Sequence, residues 1–107
     1  MTTELIEPYY TNKFKIEEDK SYLECGMNIV LANYGQVDVL NPMRLALSLE
    51  MKREDGRGGR HHLTLENQVD QLVLLVETRA AIIANLPGRS VVGVFDKKDR
   101  FLALKLR

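Results

Sequence analysis

The sequence has a single cysteine, no tryptophan and no long apolar run. Cys25 cannot form a disulfide within the chain, and this favours a reducing compartment. No stretch approaches the roughly 20 apolar residues that a membrane helix needs. The first residues also lack the basic segment and the apolar core of a secretory signal. Together, these absences predict a cytoplasmic protein that does not enter a membrane.

Catalytic and metal-binding patterns are also missing. A hydrolase or transferase needs a nucleophile beside a base, or paired carboxylates in a cleft, and neither occurs here at a recognisable spacing. His61 and His62 are neighbours, so in a strand they point to opposite faces and cannot readily share a metal. Gly56, Gly58 and Gly59 do not join a strand to a helix, as a phosphate-binding loop must. The sequence therefore predicts a non-enzymatic protein without metal or cofactor.

The net charge is zero, but the charges are unevenly distributed. Residues 1–50 carry four basic and eight acidic side chains, whereas residues 51–107 carry eleven basic and seven acidic ones. Such an asymmetry allows the second half to bind an anionic partner, and it equally allows head-to-tail contacts between protein molecules.

Alternating apolar and polar residues predict that most of the chain forms strands. In segment 43–53, every second residue from Met43 to Met51 is apolar, and only a strand places such residues on one face. Segment 22–32 alternates in the same way, with Cys25 on its apolar face. Further strands are expected at residues 13–17, 37–40, 61–65, 90–95 and 100–106. Between them, residues 54–60 are expected to form a mobile, glycine-rich hairpin loop.

Residues 64–86 predict one long helix. Thr64 is the expected N-cap, and Pro87 and Gly88 are expected to end the helix. Apolar residues recur at intervals of three and four, which is typical of a helix packed on a sheet. The stripe expected to face the sheet consists of Leu65, Val69, Leu72, Val73, Val76, Ala80 and Ile83.

A second apolar stripe, formed by Leu75, Ile82 and Leu86, lies roughly 80–100° from the first. Small domains rarely leave such a stripe in water. One explanation is a dimer interface in which each stripe meets its copy across a two-fold axis. The alternatives are that loops or the C-terminal hairpin of the same chain cover the stripe.

The expected elements combine into an α+β fold. It contains an antiparallel β-sheet of five to seven strands, with one long helix, about residues 65–86, packed on one face and a C-terminal β-hairpin. Residues 1–11 are expected to form an N-terminal arm, and residues 12–107 a single domain.

A basic cluster surrounds the predicted hairpin loop. Lys52, Arg53, Arg57 and Arg60 flank or occupy the loop, and Arg44 lies in the strand that leads to it. Phosphates are attracted to such clusters by charge and by counterion release. The alternative is a solvated hairpin tip whose charge is partly offset by two neighbouring acids.

Part of the sequence resembles a family of single-stranded nucleic-acid binders. The carrying residues are Ala46-Leu-Ser-Leu-Glu-Met-Lys-Arg53, the glycine- and arginine-bearing turn, and His62-Leu-Thr-Leu-Glu66 before a helix. They resemble the end of a ββββα unit of the transcriptional positive-cofactor, Whirly and purine-element-binding group, over about residues 12–86. The resemblance implies a curved sheet that binds the strand through basic and aromatic side chains, and helices that mediate dimerisation. The chain differs from that group in its zero net charge and in an additional hairpin at 89–107.

The leading functional prediction is a regulatory homodimer that binds single-stranded DNA or RNA. The predicted phosphate contacts are Arg44, Lys52, Arg53, Arg57 and Arg60, and Tyr22 or Tyr34 is expected to stack on bases. The alternative is a protein-interaction adaptor or inhibitor that binds a protein partner through a sheet edge or the helix surface.

Overall fold

The computed structural model describes residues 8–106 as six antiparallel strands and one α-helix. The elements are β1 (Tyr9–Tyr10), β2 (Leu23–Gln36), β3 (Leu45–Arg53), β4 (Arg60–Leu65), α1 (Gln68–Thr78), β5 (Ser90–Phe95) and β6 (Phe101–Leu106), with 3-10 turns at Thr11–Lys13 and Ile83–Asn85. They form one sheet in the order β1-β6-β5-β2-β3-β4. The α+β class and the C-terminal hairpin are confirmed. Residues 1–7 of the predicted arm lie outside the described residues.

Two of the predicted short strands do not form. Segment 13–17 contains the end of a 3-10 turn followed by irregular chain, and segment 37–40 lies in the turn between β2 and β3. The backbone amide of Val37 donates to the carbonyl of Arg44. This hydrogen bond joins the two ends of the turn. A few alternating residues predict a strand only if a neighbouring strand is available to pair with them.

β2 is the strand on which the sheet is built. Its first half pairs with β5, and its second half pairs with β3. A bulge between Ile29 and Leu31 interrupts the pairing with β3. Because an extra residue reverses the alternation of faces, Ile29 is buried whereas Leu31 is exposed. The apolar face predicted for residues 22–32 therefore ends at the bulge.

The sheet curls into a partly closed barrel around the core. His61 of β4 lies 5.2 Å from the ring of Phe95 and 6.0 Å from that of Phe101, measured between centroids. β4 and β6 are separated by three strands in the sheet, so this contact requires strong curvature. Asn12 Nδ2 also donates to the Thr64 carbonyl at 3.3 Å, linking the chain beyond β1 to β4.

The helix is much shorter than the sequence predicts. Its N-cap is Asn67, whose side chain accepts from the Val69 amide at 2.8 Å, while Thr64 belongs to β4. It ends because Arg79 adopts a left-handed conformation with φ 58°. The amides of Arg79 and Ala80 then donate to the last helical carbonyls, as in a common C-terminal motif. The predicted helix at about 65–86 is therefore wrong at both ends.

The buried face of α1 is defined by two polar residues as well as by Leu74. Asp70, Leu74 and Thr78 are buried and lie one turn apart on one face. The Asp70 carboxylate accepts from the Tyr9 hydroxyl and, at 2.9 Å, from the Asn12 amide. These contacts fix the rotation of the helix. Of the stripe expected to face the sheet, Leu65 and Ala80 are buried and Val73 and Ile83 pack against the core, as predicted. Val69, Leu72 and Val76 are exposed instead.

The bond between Tyr9 and Asp70 predicts a loss of stability at high pH. Hydrogen bonding to Asp70, followed by desolvation, raises the pKa of Tyr9 from 10.0 to about 12. A raised pKa in the folded state means that the contribution is complete below pH 10 and is lost as the pH approaches 12. We expect the free energy of unfolding to fall across this interval, and Tyr9→Phe to reduce that fall.

Urea unfolding at pH 9 and pH 11 measures this effect, with Tyr10→Phe as the matched control. Equal pH dependence in wild type and Tyr9→Phe would contradict the assignment.

Candidate functional site

The basic residues at the end of β3 point to opposite faces of the sheet. Lys52 is exposed on the outer face, whereas Arg53 points inward and is 4% exposed. This separation follows from the alternation of side chains along a strand. The two residues therefore cannot act together on one phosphate.

Arg53 is held by three kinds of contact. Its Nε and one terminal nitrogen bind the Asp55 carboxylate at 3.0 and 2.6 Å, and its other terminal nitrogen lies 3.6 Å from Asp99. Its guanidinium carbon lies 4.5 Å from the centroid of the Phe95 ring, a cation–π geometry. The hydrogen bond to Asp55 raises the pKa of Arg53 further above its usual range. The Arg53 side chain thus has a structural role, as a buried charge paired with acids of both hairpins.

The glycine-rich tip between β3 and β4 is also tied down. Arg57 binds Asp99 at 2.5 Å, which joins this tip to the turn between β5 and β6. The amide of Arg57 donates to Asp55, and this bond, followed by the bond from Arg53, lowers the pKa of Asp55. Gly58 packs so tightly on His61 that a Cβ atom there would lie 2.9 Å from the imidazole. These contacts join the tip to β4 and to the turn between β5 and β6.

The remaining basic residues of the predicted cluster have acidic neighbours, with one exception. Arg60 pairs with Glu50 across the β3–β4 ladder. Arg44 binds Glu66 at 2.6 Å, a contact that raises the pKa of Arg44. Lys52 makes no ion pair within residues 8–106. The structure therefore brings together Arg53 and Arg57, but through shared acids rather than around an open anion site.

The two candidate stacking residues, Tyr22 and Tyr34, are far apart in the fold. Tyr22 packs edge-on against Phe14, with centroids 5.8 Å apart. Tyr34 lies near the far end of β2, paired with Leu47, and is about half exposed. Tyr22 lies beside the turn between β5 and β6, the turn that Arg57 binds, whereas Tyr34 lies at the other end of β2. The two tyrosines therefore do not form one continuous platform.

The residues predicted for a dimer interface have three different environments. Leu86 is fully buried in the core of its own chain, and Leu75 packs against that core. Ile82 is exposed. The chain beyond Arg79 folds back beneath the barrel, which removes Leu86 from any surface.

The helix exposes a different apolar surface that the sequence pattern assigned to the core. Val69, Leu72 and Val76 are 54%, 61% and 77% exposed, and they form a stripe that we call the α1 face. The assignment of this stripe to the sheet is wrong because Asp70 and Thr78, not these residues, turn inward. The spacing of four residues between Asp70, Leu74 and Thr78 could have predicted the buried face of the helix. It was missed because two of these three residues are polar.

Two further features of residues 8–106 bear on function. In this part of the chain, no group of three metal-ligating side chains is arranged around a common point. Within the same residues, no helix has the length and apolar character needed to cross a bilayer.

Replacing Arg53 should destabilise the fold far more than replacing its neighbour. We expect Arg53→Ala to lower the free energy of unfolding by about 2–4 kcal/mol, because it removes a buried side chain and its ion pairs. Lys52→Ala, the adjacent change on the outer face, should alter it by less than about 0.5 kcal/mol. Urea denaturation of both variants is the measurement, and equal effects would refute the structural role of Arg53.

Comparisons of the chain with protein-family models, with curated proteins and with solved structures found no match. The resemblance drawn from residues 12–86 therefore stays a prediction. A function must be inferred from the surfaces that this fold leaves exposed.

Proposed function

We propose that the chain is a non-enzymatic protein-interaction module that forms a homodimer through the α1 face. The observation that carries the proposal is the exposure of Val69, Leu72 and Val76 along one side of a helix. Contiguous apolar side chains on a small soluble domain are typical of protein-binding surfaces. A single cysteine favours the cytoplasm as the compartment in which this contact forms.

Residues 66–79, which include α1, have a self-complementary pattern about their midpoint. In an antiparallel two-fold pair centred between Leu72 and Val73, Val69 of one copy faces Val76 of the other. The same operation places Arg79 of one copy near Glu66 of the other. A two-fold interface requires a surface patch to complement itself, and this arrangement supplies apolar contacts in the middle and opposite charges at the ends.

The loop between β2 and β3 can extend the contact. Its residues Val39, Leu40 and Met43 are each more than 85% exposed. The ion pair between Arg44 and Glu66 holds the end of this loop close to the start of α1. A stable interface buries roughly 800 Å² on each partner, more than three helical side chains provide. The loop supplies adjacent apolar area for the remainder.

Leu72→Glu should dissociate the dimer without unfolding the chain. A carboxylate at the centre of the contact would be buried against apolar side chains, and we expect the dissociation constant to rise about 100-fold or more. Leu72 is exposed in one chain, so circular dichroism should show an unchanged fold. Size exclusion with light scattering measures the mass of each protein at matched concentration.

Gln68→Glu, an exposed change of the same charge on the same helix, is the control and should remain dimeric. Arg79→Glu should weaken the dimer because it faces Glu66 of the second copy, whereas Arg89→Glu should not. A wild type that is monomeric at about 100 μM would end the proposal, since a modest dimer forms in the micromolar range.

A second candidate function is the binding of single-stranded nucleic acid on the outer face of β3 and β4. The observation in its favour is the curvature of the sheet, because small, partly open barrels bind oligonucleotides across the outer face of neighbouring strands. Lys52, His62 and Thr64 are exposed on this face. The ion pairs of Arg44, Arg57 and Arg60 leave Lys52 as the principal phosphate contact.

Fluorescence anisotropy with labelled single-stranded DNA and RNA tests this candidate. If it is right, Lys52→Ala should reduce the salt dependence of binding by about one unit, and Lys15→Ala, an exposed lysine elsewhere, should not. Binding weaker than about 10⁻⁴ M at low salt would eliminate it.

A further inference from the structure

A cavity of about 420 Å³ lies on the outer face, between segment 14–22 and the turn that joins β5 to β6. Phe14, Tyr22 and Leu102 form its apolar wall. Phe14 packs edge-on against Tyr22, and on its other side it packs against Tyr10 with centroids 5.7 Å apart. The wall thus combines two aromatic rings that pack against each other with the side chain of Leu102.

The rim of the cavity carries an uncompensated positive charge. Lys20 pairs with Glu17 at 2.9 Å, and Arg100 pairs with Asp96 at 2.7 Å. Lys97 and Lys98 form no ion pair within residues 8–106, and Asp19 is the remaining acid on the rim. Two unpaired lysines and one acid leave a net charge of about +1.

Both sides of the cavity are held in place by their own hydrogen bonds. Asp96 accepts from the amides of Lys98 and Arg100, each at 2.9 Å. The bond from the Arg100 amide is the main reason that the pKa of Asp96 is lowered. On the opposite side, the Tyr22 hydroxyl accepts from the Glu17 amide at 3.2 Å. The lysines therefore stand on an ordered turn facing an ordered aromatic wall.

We propose that this cavity binds a planar aromatic ring that carries one anionic group, as in a nucleoside monophosphate. The ring would lie against Phe14, Tyr22 and Leu102, and Lys97 and Lys98 would hold the anion. The volume lies within the range of small-molecule sites, and an apolar wall with a few convergent polar groups is typical of them. The site does not involve the α1 face, and it stands on observations independent of the proposed dimer.

Calorimetric titration of the full chain with adenosine monophosphate, adenosine and inorganic phosphate tests the proposal. We expect the monophosphate to bind with a dissociation constant below about 1 mM, and the two fragments to bind at least tenfold more weakly. If a 5′-phosphorylated dinucleotide competes with the monophosphate, the natural ligand is the 5′ end of a nucleic-acid strand. A dinucleotide that does not compete identifies the free nucleotide.

Variants locate the site. Lys97→Ala with Lys98→Ala should weaken binding of the monophosphate tenfold or more, whereas Lys15→Ala with Arg89→Ala, which removes the same charge elsewhere, should not. Tyr22→Leu should weaken binding of the ring, provided that circular dichroism shows it folded. Absence of saturable binding at 10 mM, equal affinity for adenosine, or an unchanged affinity in the Lys97 and Lys98 variant would overturn the proposal.

Discussion

The burial of Arg53 constrains the rest of the structure. A guanidinium taken out of water must keep charged partners, or the fold loses more than the burial contributes. Its partners are Asp55 on the hairpin tip and Asp99 on the turn between β5 and β6. Asp55 is close to Arg53 in the chain, but Asp99 belongs to the other hairpin, so pairing Arg53 with both acids holds the two hairpins together. The aromatic contact with Phe95 then places the ion against the core rather than in solvent.

This constraint also determines which surfaces remain for function. The acids that close the barrel neutralise the arginines that composition would assign to phosphate. Arg57 contributes to closure through Asp99, while the pairs of Arg44 and Arg60 offset charge elsewhere on the outer surface. The α1 face and the loop between β2 and β3 instead expose apolar side chains to solvent. That is why a contact between protein surfaces is the function proposed first, with nucleic acid second.

Strands were predictable from the sequence because alternation is a local property. Segment 90–95 has the predicted bounds, and segment 61–65 is extended by one residue. The helix was mispredicted for two reasons. Its rotation depends on tertiary contacts, and its end depends on an unusual backbone conformation. Buried Asp70 accepts a hydrogen bond from Tyr9, which is 61 residues away in the chain. Arg79 ends the helix in a left-handed conformation, which an arginine in the sequence does not predict. The ion pair between Arg57 and Asp99 spans 42 residues, so this acidic partner of Arg57 could not be predicted from the local sequence.

Native-state hydrogen exchange in Asp99→Asn tests the central claim, that charge pairing between the two hairpins closes the barrel. Asp99 has a positive φ of 61°, which asparagine also tolerates, so the change removes the charge and keeps the turn. The account predicts several-fold faster exchange at the amides of Gly56 and Arg57 in the other hairpin, with the amide of Leu74 in α1 unchanged. Unchanged exchange at Gly56 and Arg57 would contradict it.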